Sequence, residues 1–184
     1  AWDGFSGGIL TFAASGDVTV AAGGSIDVSG LGFRGVSHGS VYQNEDGFQG
    51  ESITGLGTQS ADANDTAGGG GEGTRDAAGG GGGGYGVRGI AGEPDSGHEG
   101  GQGGDKTGSP DLQRLHFGGA GGEGGADEDG GHPGGGGHGG GIIALIAETI
   151  TVDGVVRADG NNGGNGSDEG GGGCGMGGGG GGAG

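Results

Sequence analysis

The chain has 184 residues, of which 66 are glycine, 27% are apolar and 4% aromatic, so a large oily core is excluded. Its 24 acidic residues against six basic ones give a net charge of −18, which excludes nucleic acid as a partner because the phosphates would be repelled. Anionic membrane surfaces are disfavoured for the same reason, and no stretch reaches the roughly 20 apolar residues of a membrane span.

In chain order, residues 7–30 form a first strand repeat. It runs Gly7-Gly8-Ile9-Leu10, then Asp17-Val18-Thr19-Val20, then Ser25-Ile26-Asp27-Val28-Ser29. Its β-branched residues and alternation predict short strands with one face inward and one outward. Residues 31–67 read as a polar loop region, with Phe33, Tyr42, Phe48, Ile53 and Leu56 as scattered anchors. Residues 68–141 are glycine-rich. Glycine holds every third place at Gly80, Gly83, Gly86, Gly89 and Gly92, and again at Gly119, Gly122, Gly125, Gly131, Gly134, Gly137 and Gly140.

An insert at 108–117 reads as one helical turn or a short strand, with Leu112, Leu115 and Phe117 packed inward. Beyond it, the series Ala120, Glu123, Ala126, Asp129, His132 and His138 is expected to form a solvent-facing edge opposite the glycines. Residues 142–160 repeat the scheme of the first copy: Ile142-Ile143, then Thr149-Ile150-Thr151-Val152, then Val155-Val156-Arg157. Residues 161–184 are a final glycine run. The chain is expected to be one domain, 1–184.

A period of three is neither that of an α-helix nor that of a strand. It is the repeat of the extended left-handed polyproline-type helix, with three residues per turn. Glycine at each turn leaves one face without side chains, so a neighbouring backbone can approach closely. Collagen shares the period but needs abundant proline and unbroken register, and this chain has three prolines and several phase breaks. Composition alone also fits a disordered linker. Order requires a dense network of main-chain hydrogen bonds between neighbouring segments, because fixing each residue costs about 1–2 kcal/mol. The predicted fold is therefore mostly irregular and all-β: a bundle of packed polyglycine II helices on a small β-solenoid-like strand framework, with almost no α-helix.

Few residues point to chemistry. Residues 163–169 match the start of a calcium-binding nonapeptide, which makes Asp168 a calcium candidate, and Asp127-Glu128-Asp129 is a second one. The ordinary alternative for both is a solvated turn. His132 and His138 lack zinc spacing and cysteine partners. Cys174 stands alone, so no internal disulfide forms. No nucleophile elbow or P-loop occurs, and no cofactor or catalytic group is expected. Asn64 and Asn165 head glycosylation sequons. Tyr42, Phe48 and Tyr85 are candidate binding contacts. No signal peptide is evident, and a start at Ala1–Trp2 without Met suits an exported, processed product or a fragment.

The runs at 140–147, 149–154 and 158–164, with Leu112-Gln113-Arg114-Leu115-His116-Phe117-Gly118-Gly119, resemble glycine-rich surface and secreted proteins of bacteria, archaea and their viruses. In related phage-tip adhesins, similar runs form sandwiches of polyglycine II helices. The resemblance implies surface assembly or adhesion and supplies no catalytic residues. The expectation is a non-enzymatic structural subunit of an extracellular filament or cell-surface assembly, adding to copies of itself head to tail. The alternative is an adhesin or receptor-binding module, for a surface receptor or glycan, with specificity in loops such as 42–66 and 93–96. Ice binding is disfavoured, since no regular Thr or Ala ladder appears.

Overall fold

The computed structural model describes residues 1–36, 45–73, 77–95, 97–126, 132–167 and 181. Six short strands form, and no helix occurs among the described residues: β1 Ile9–Ala13, β2 Asp17–Val20, β3 Ser25–Asp27, β4 Ile142–Ile146, β5 Thr149–Val152 and β6 Val155–Arg157. The molecule is thus mostly non-helical and irregular.

The two strand copies lie on one another. Each strand of the first pairs in parallel with its counterpart in the second, giving three two-stranded sheets, β1–β4, β2–β5 and β3–β6. The register sets like on like: Ile9 opposite Ile142, Phe12 opposite Leu145, Thr19 opposite Thr151, Val20 opposite Val152. Cross-strand pairs of branched and aromatic side chains are the units that stabilise a sheet, and they explain why the repeats find each other across the long excursion between them.

That excursion is tied together through its main chain, in a rotation of three. The N–H groups of Gly118, Gly121 and Gly124 donate to the carbonyls of Gly140, Gly137 and Gly134. Those of Gly119, Gly122 and Gly125 donate to Gly84, Gly81 and Ala78, and those of Ala120, Glu123 and Ala126 to Glu51, Phe48 and Glu45. Consecutive residues of 118–126 therefore face three different neighbours, each running antiparallel to it. Segment 68–72 behaves alike: Gly68, Gly69 and Gly70 donate to Ala120, Gln102 and Ser60, after which Gly71 and Glu72 return to Glu123 and Glu99.

This bonding sorts the segments into two rows. One holds 134–140, 118–126, 77–84 and 87–93, and the other holds 31–36, 45–51, 66–73 and 98–105. The first row runs directly into β4, and the second leaves directly from β3. A partial third row, residues 58–61, accepts bonds from Gln49, Gly70 and Gln102 on the far side of the second. At these glycines there is no room for a side chain. A Cβ at Gly119 or Gly122 would fall on the carbonyl oxygen of Thr66 or Gly69 in the other row, and one at Gly83 on that of Gly119 in its own row.

Side-chain packing is concentrated at the junction of rows and strands. Phe33, Phe117 and Ala120 form a buried cluster, with Trp2 and Ile142 against it. The Phe117 ring sits 5.3 Å from those of Trp2 and Phe33. Gly8, at φ +74°, passes so close that a Cβ would meet both the Leu31 carbonyl and the Phe117 ring.

Four sequence-based expectations are corrected here. The inward and outward alternation holds in β2 and β3, where Val18 and Ile26 are half-buried and Val20 is buried, but β1, β4, β5 and β6 have no buried face, because two-stranded sheets enclose little. The series Ala120, Glu123 and Ala126 is buried, not solvent-facing, with Glu123 only 1% exposed, because neighbours surround 118–126. Of the three apolar residues in 108–117, only Phe117 packs inward; Leu112, at φ +51°, and Leu115 are exposed. That insert is a turn closed by the Leu112 N–H on the Ser109 carbonyl, neither helix nor strand. Finally, Phe33 is an anchor, but Ile53 and Leu56 are exposed.

Candidate functional site

The strand framework offers its main chain. Ile142 donates to the Gly8 carbonyl and Ala14 to the Ile146 carbonyl, so Gly8 and Ala14 face the second copy. In a parallel ladder alternate residues face the same neighbour, so Ile9, Thr11 and Ala13 direct their backbone groups away from β4, and Ile143 and Leu145 direct theirs away from β1. Among the described residues each of the three sheets thus carries two outer edges, and along them Ile9, Phe12, Ile146, Ile150 and Val152 are exposed. Asp27 stands opposite Arg157 in β3–β6. Hydrogen bonds from Ser29, with a smaller contribution from Arg157, hold the Asp27 carboxyl below the usual aspartate range.

Two apolar clefts flank Leu115 and His116, where the rows meet the strands. One, of about 330 Å³, lies between Tyr85, Leu112 and Leu115 on one side and Ile143 and Val156 on the other. The second, of about 420 Å³, is lined by Trp2, Ile9, Phe33, Ile53, Leu115 and Phe117. Beside it the Glu51 carboxylate, 5% exposed, accepts from the backbone N–H, Nε and Nη2 of Arg34 at 2.9, 2.9 and 3.0 Å. Burial pushes the Glu51 carboxyl up, but the Arg34 hydrogen bonds outweigh it and hold the group below the usual glutamate range. The buried indole N–H of Trp2 also favours the charged Glu51 carboxylate, although no group among the described residues meets it at full hydrogen-bond geometry.

Tyr85 lines the first cleft, with its backbone N–H on the Val87 carbonyl. Phe48 is half-buried and bridged to Gln59, and so belongs to the second row rather than to an open loop. Asn64 spends its amide on the Gly50 and Gly55 carbonyls and accepts from Thr54, whereas Asn165 is exposed. Tyr42, the calcium candidates Asp127, Glu128, Asp129 and Asp168, and Cys174 lie outside the described residues. Among the described residues no group of three His, Cys, Asp or Glu side chains could hold a metal ion, and no helix is long and apolar enough to cross a membrane.

Sequence reasoning did not find the Arg34–Glu51 brace or the clefts, since nothing in the spacing of residues 17 apart signals contact. Aligning the third segments of the two strand repeats, Ser25-Ile26-Asp27 with Val155-Val156-Arg157, does carry the Asp27–Arg157 pairing. No family model, no curated protein and no solved structure matches the chain.

Proposed function

We propose that the chain is a structural subunit of an extracellular or cell-surface assembly, built from copies of itself and without catalytic activity. On this reading the glycine-rich segments are polyglycine II-type helices, as the three-residue rotation of their hydrogen bonds supports. The strand repeats are two coils of a solenoid-like framework that continues from copy to copy. The observation that carries the reading is the pair of outer edges on every sheet that no described residue pairs with, lined by exposed apolar side chains. Such edges invite further strands. Adding the first coil of one copy to the second coil of the next is a heterologous contact, and it builds a filament. Residues 58–61 stand on the far side of the second row, so successive copies must turn about the strand stack for their rows to clear one another. Electron microscopy of the purified chain alone tests the proposal: fibres are expected, and a monomer that persists at millimolar concentration rules it out.

The second reading is a binding module for a surface receptor or glycan. The observation in its favour is Tyr85 at the mouth of the smaller cleft, beside the exposed Leu112. Under it, Tyr85→Ser abolishes attachment of the labelled chain to target cells while leaving its oligomeric state unchanged.

A further inference from the structure

Phe5 is 94% exposed, the most exposed large apolar side chain among the described residues. It is held there. The Asp3 carboxylate accepts from the backbone N–H groups of Phe5 and Ser6, both at 2.8 Å, and the Asp3 N–H closes the turn on the Ser6 carbonyl at 3.1 Å. An Arg34 guanidinium bond to the Asp3 carbonyl fixes the turn to the second row. A turn whose backbone is already fixed loses only the rotamer freedom of the ring when that ring is later buried.

The larger apolar cleft opens beside this turn. Gly4, the residue before Phe5, is part of its wall, yet the Phe5 ring lies outside it. Its volume of about 420 Å³ accommodates an aromatic ring, and its walls of Trp2, Phe33, Phe117 and exposed Ile9 and Ile53 suit one. The Glu51 carboxylate in the cleft wall is matched by Arg34, so the cavity offers an aromatic ring an apolar lining with no unpaired charge. Knob and hole on one surface make that surface self-complementary, the condition for a two-fold contact in which each copy fills the other.

We infer that two copies of this chain pair face to face, the Phe5 ring of each seated in the Trp2–Phe33–Ile53 cleft of the other. This contact closes at two and leaves the strand edges free. It is therefore independent of head-to-tail growth and would join two filaments side by side.

The test uses the full chain in a Thr11→Pro background, which removes an outward N–H of β1 and blocks strand-edge addition. Trp2 is the single tryptophan and lines the cleft, so its emission reports occupancy directly. A monomer–dimer equilibrium is expected in sedimentation, with a blue shift of Trp2 emission on dimerisation. Phe5→Ser should raise the dissociation constant about 100-fold or more and remove the shift, and Phe5→Leu should retain both. Ile53→Arg, which spoils the cleft, should also prevent self-pairing. Mixed with Phe5→Ser chains, it should recover heterodimers through the one remaining knob and hole. Dimerisation unchanged by Phe5→Ser, Trp2 emission indifferent to concentration, or no heterodimer in the mixture overturns the inference. Fibres of the wild type can form in any of these cases, so the two proposals fail separately.

Discussion

Arg34 and Glu51 bind each other through both side chain and backbone: Arg34 gives three donors to the Glu51 carboxylate, and the Glu51 N–H returns one to the Arg34 carbonyl at 3.1 Å. The pair joins segment 31–36 to segment 45–51 where the second row meets the strands. It is a bidentate, mostly buried pair, and removing one partner strands the other. Glu51→Gln should cost about 1–3 kcal/mol in denaturant unfolding, less than a fully buried pair because Arg34 keeps part of its surface in water.

The same pair sets a pH dependence. The folded Glu51 carboxyl titrates below its unfolded value, so its contribution is present at neutral pH and is lost as pH falls below about 4.3 through the folded value. Protonating the many other carboxylates relieves self-repulsion and acts the opposite way. The difference between wild type and Glu51→Gln isolates the pair: that gap in unfolding free energy should be flat from about pH 7 to 5 and close in stronger acid.

Glycines in the rows differ from those outside. Gly122→Ala puts a methyl group on the Gly69 carbonyl, with backbone on both sides and nothing able to give way, and should cost about 3 kcal/mol or more. Gly86→Ala meets nothing within 4 Å and should change stability by no more than about 1 kcal/mol, in the stabilising direction if at all. Equal effects in chemical denaturation would contradict the row packing.

Strand addition has its own probe. Thr11 and Phe12 are neighbours in β1, but only Phe12 directs its backbone toward β4. Thr11→Pro should leave monomer stability within about 1 kcal/mol and stop fibre growth, whereas Phe12→Pro should cost about 3 kcal/mol by breaking the internal ladder. Circular dichroism and light scattering read the two effects separately.

Salt should favour growth. Copies carrying a charge of −18 repel one another, and the Debye length shrinks from about 30 Å at 0.01 M to about 10 Å at 0.1 M. The concentration needed for assembly should therefore fall on raising sodium chloride over that range, and a rise would mean that attraction between charges drives the contact.

How much of this was legible in the sequence depends on the kind of signal. The strand repeats were, because apolar alternation and matched order survive in both copies, and Ile9 meets Ile142 as their alignment implies. The glycine positions at 119, 122 and 125 were legible as a close-packed face, since only a neighbouring backbone requires that spacing. What failed was the assignment of the remaining faces. A period of three within one segment marks Ala120, Glu123 and Ala126 only as the face opposite the glycines, while burial depends on how many neighbours surround that segment. Hydrophobicity alone points Leu112 and Leu115 inward, but both are exposed, Leu112 in a turn at positive φ that hydrophobicity does not signal. Arg34 and Glu51 carry no local pattern, and only the folded rows bring them together.

The most direct test of strand-on-strand growth is the axial repeat of the fibre. Each copy contributes two stacked strands to every sheet, so an unbroken ladder advances about 9.6 Å per copy, twice the ~4.8 Å strand spacing. Fibre diffraction or helical reconstruction should give reflections near both spacings along the axis. A subunit rise several times larger, with no ~4.8 Å reflection on the axis, would show that copies meet through some other surface.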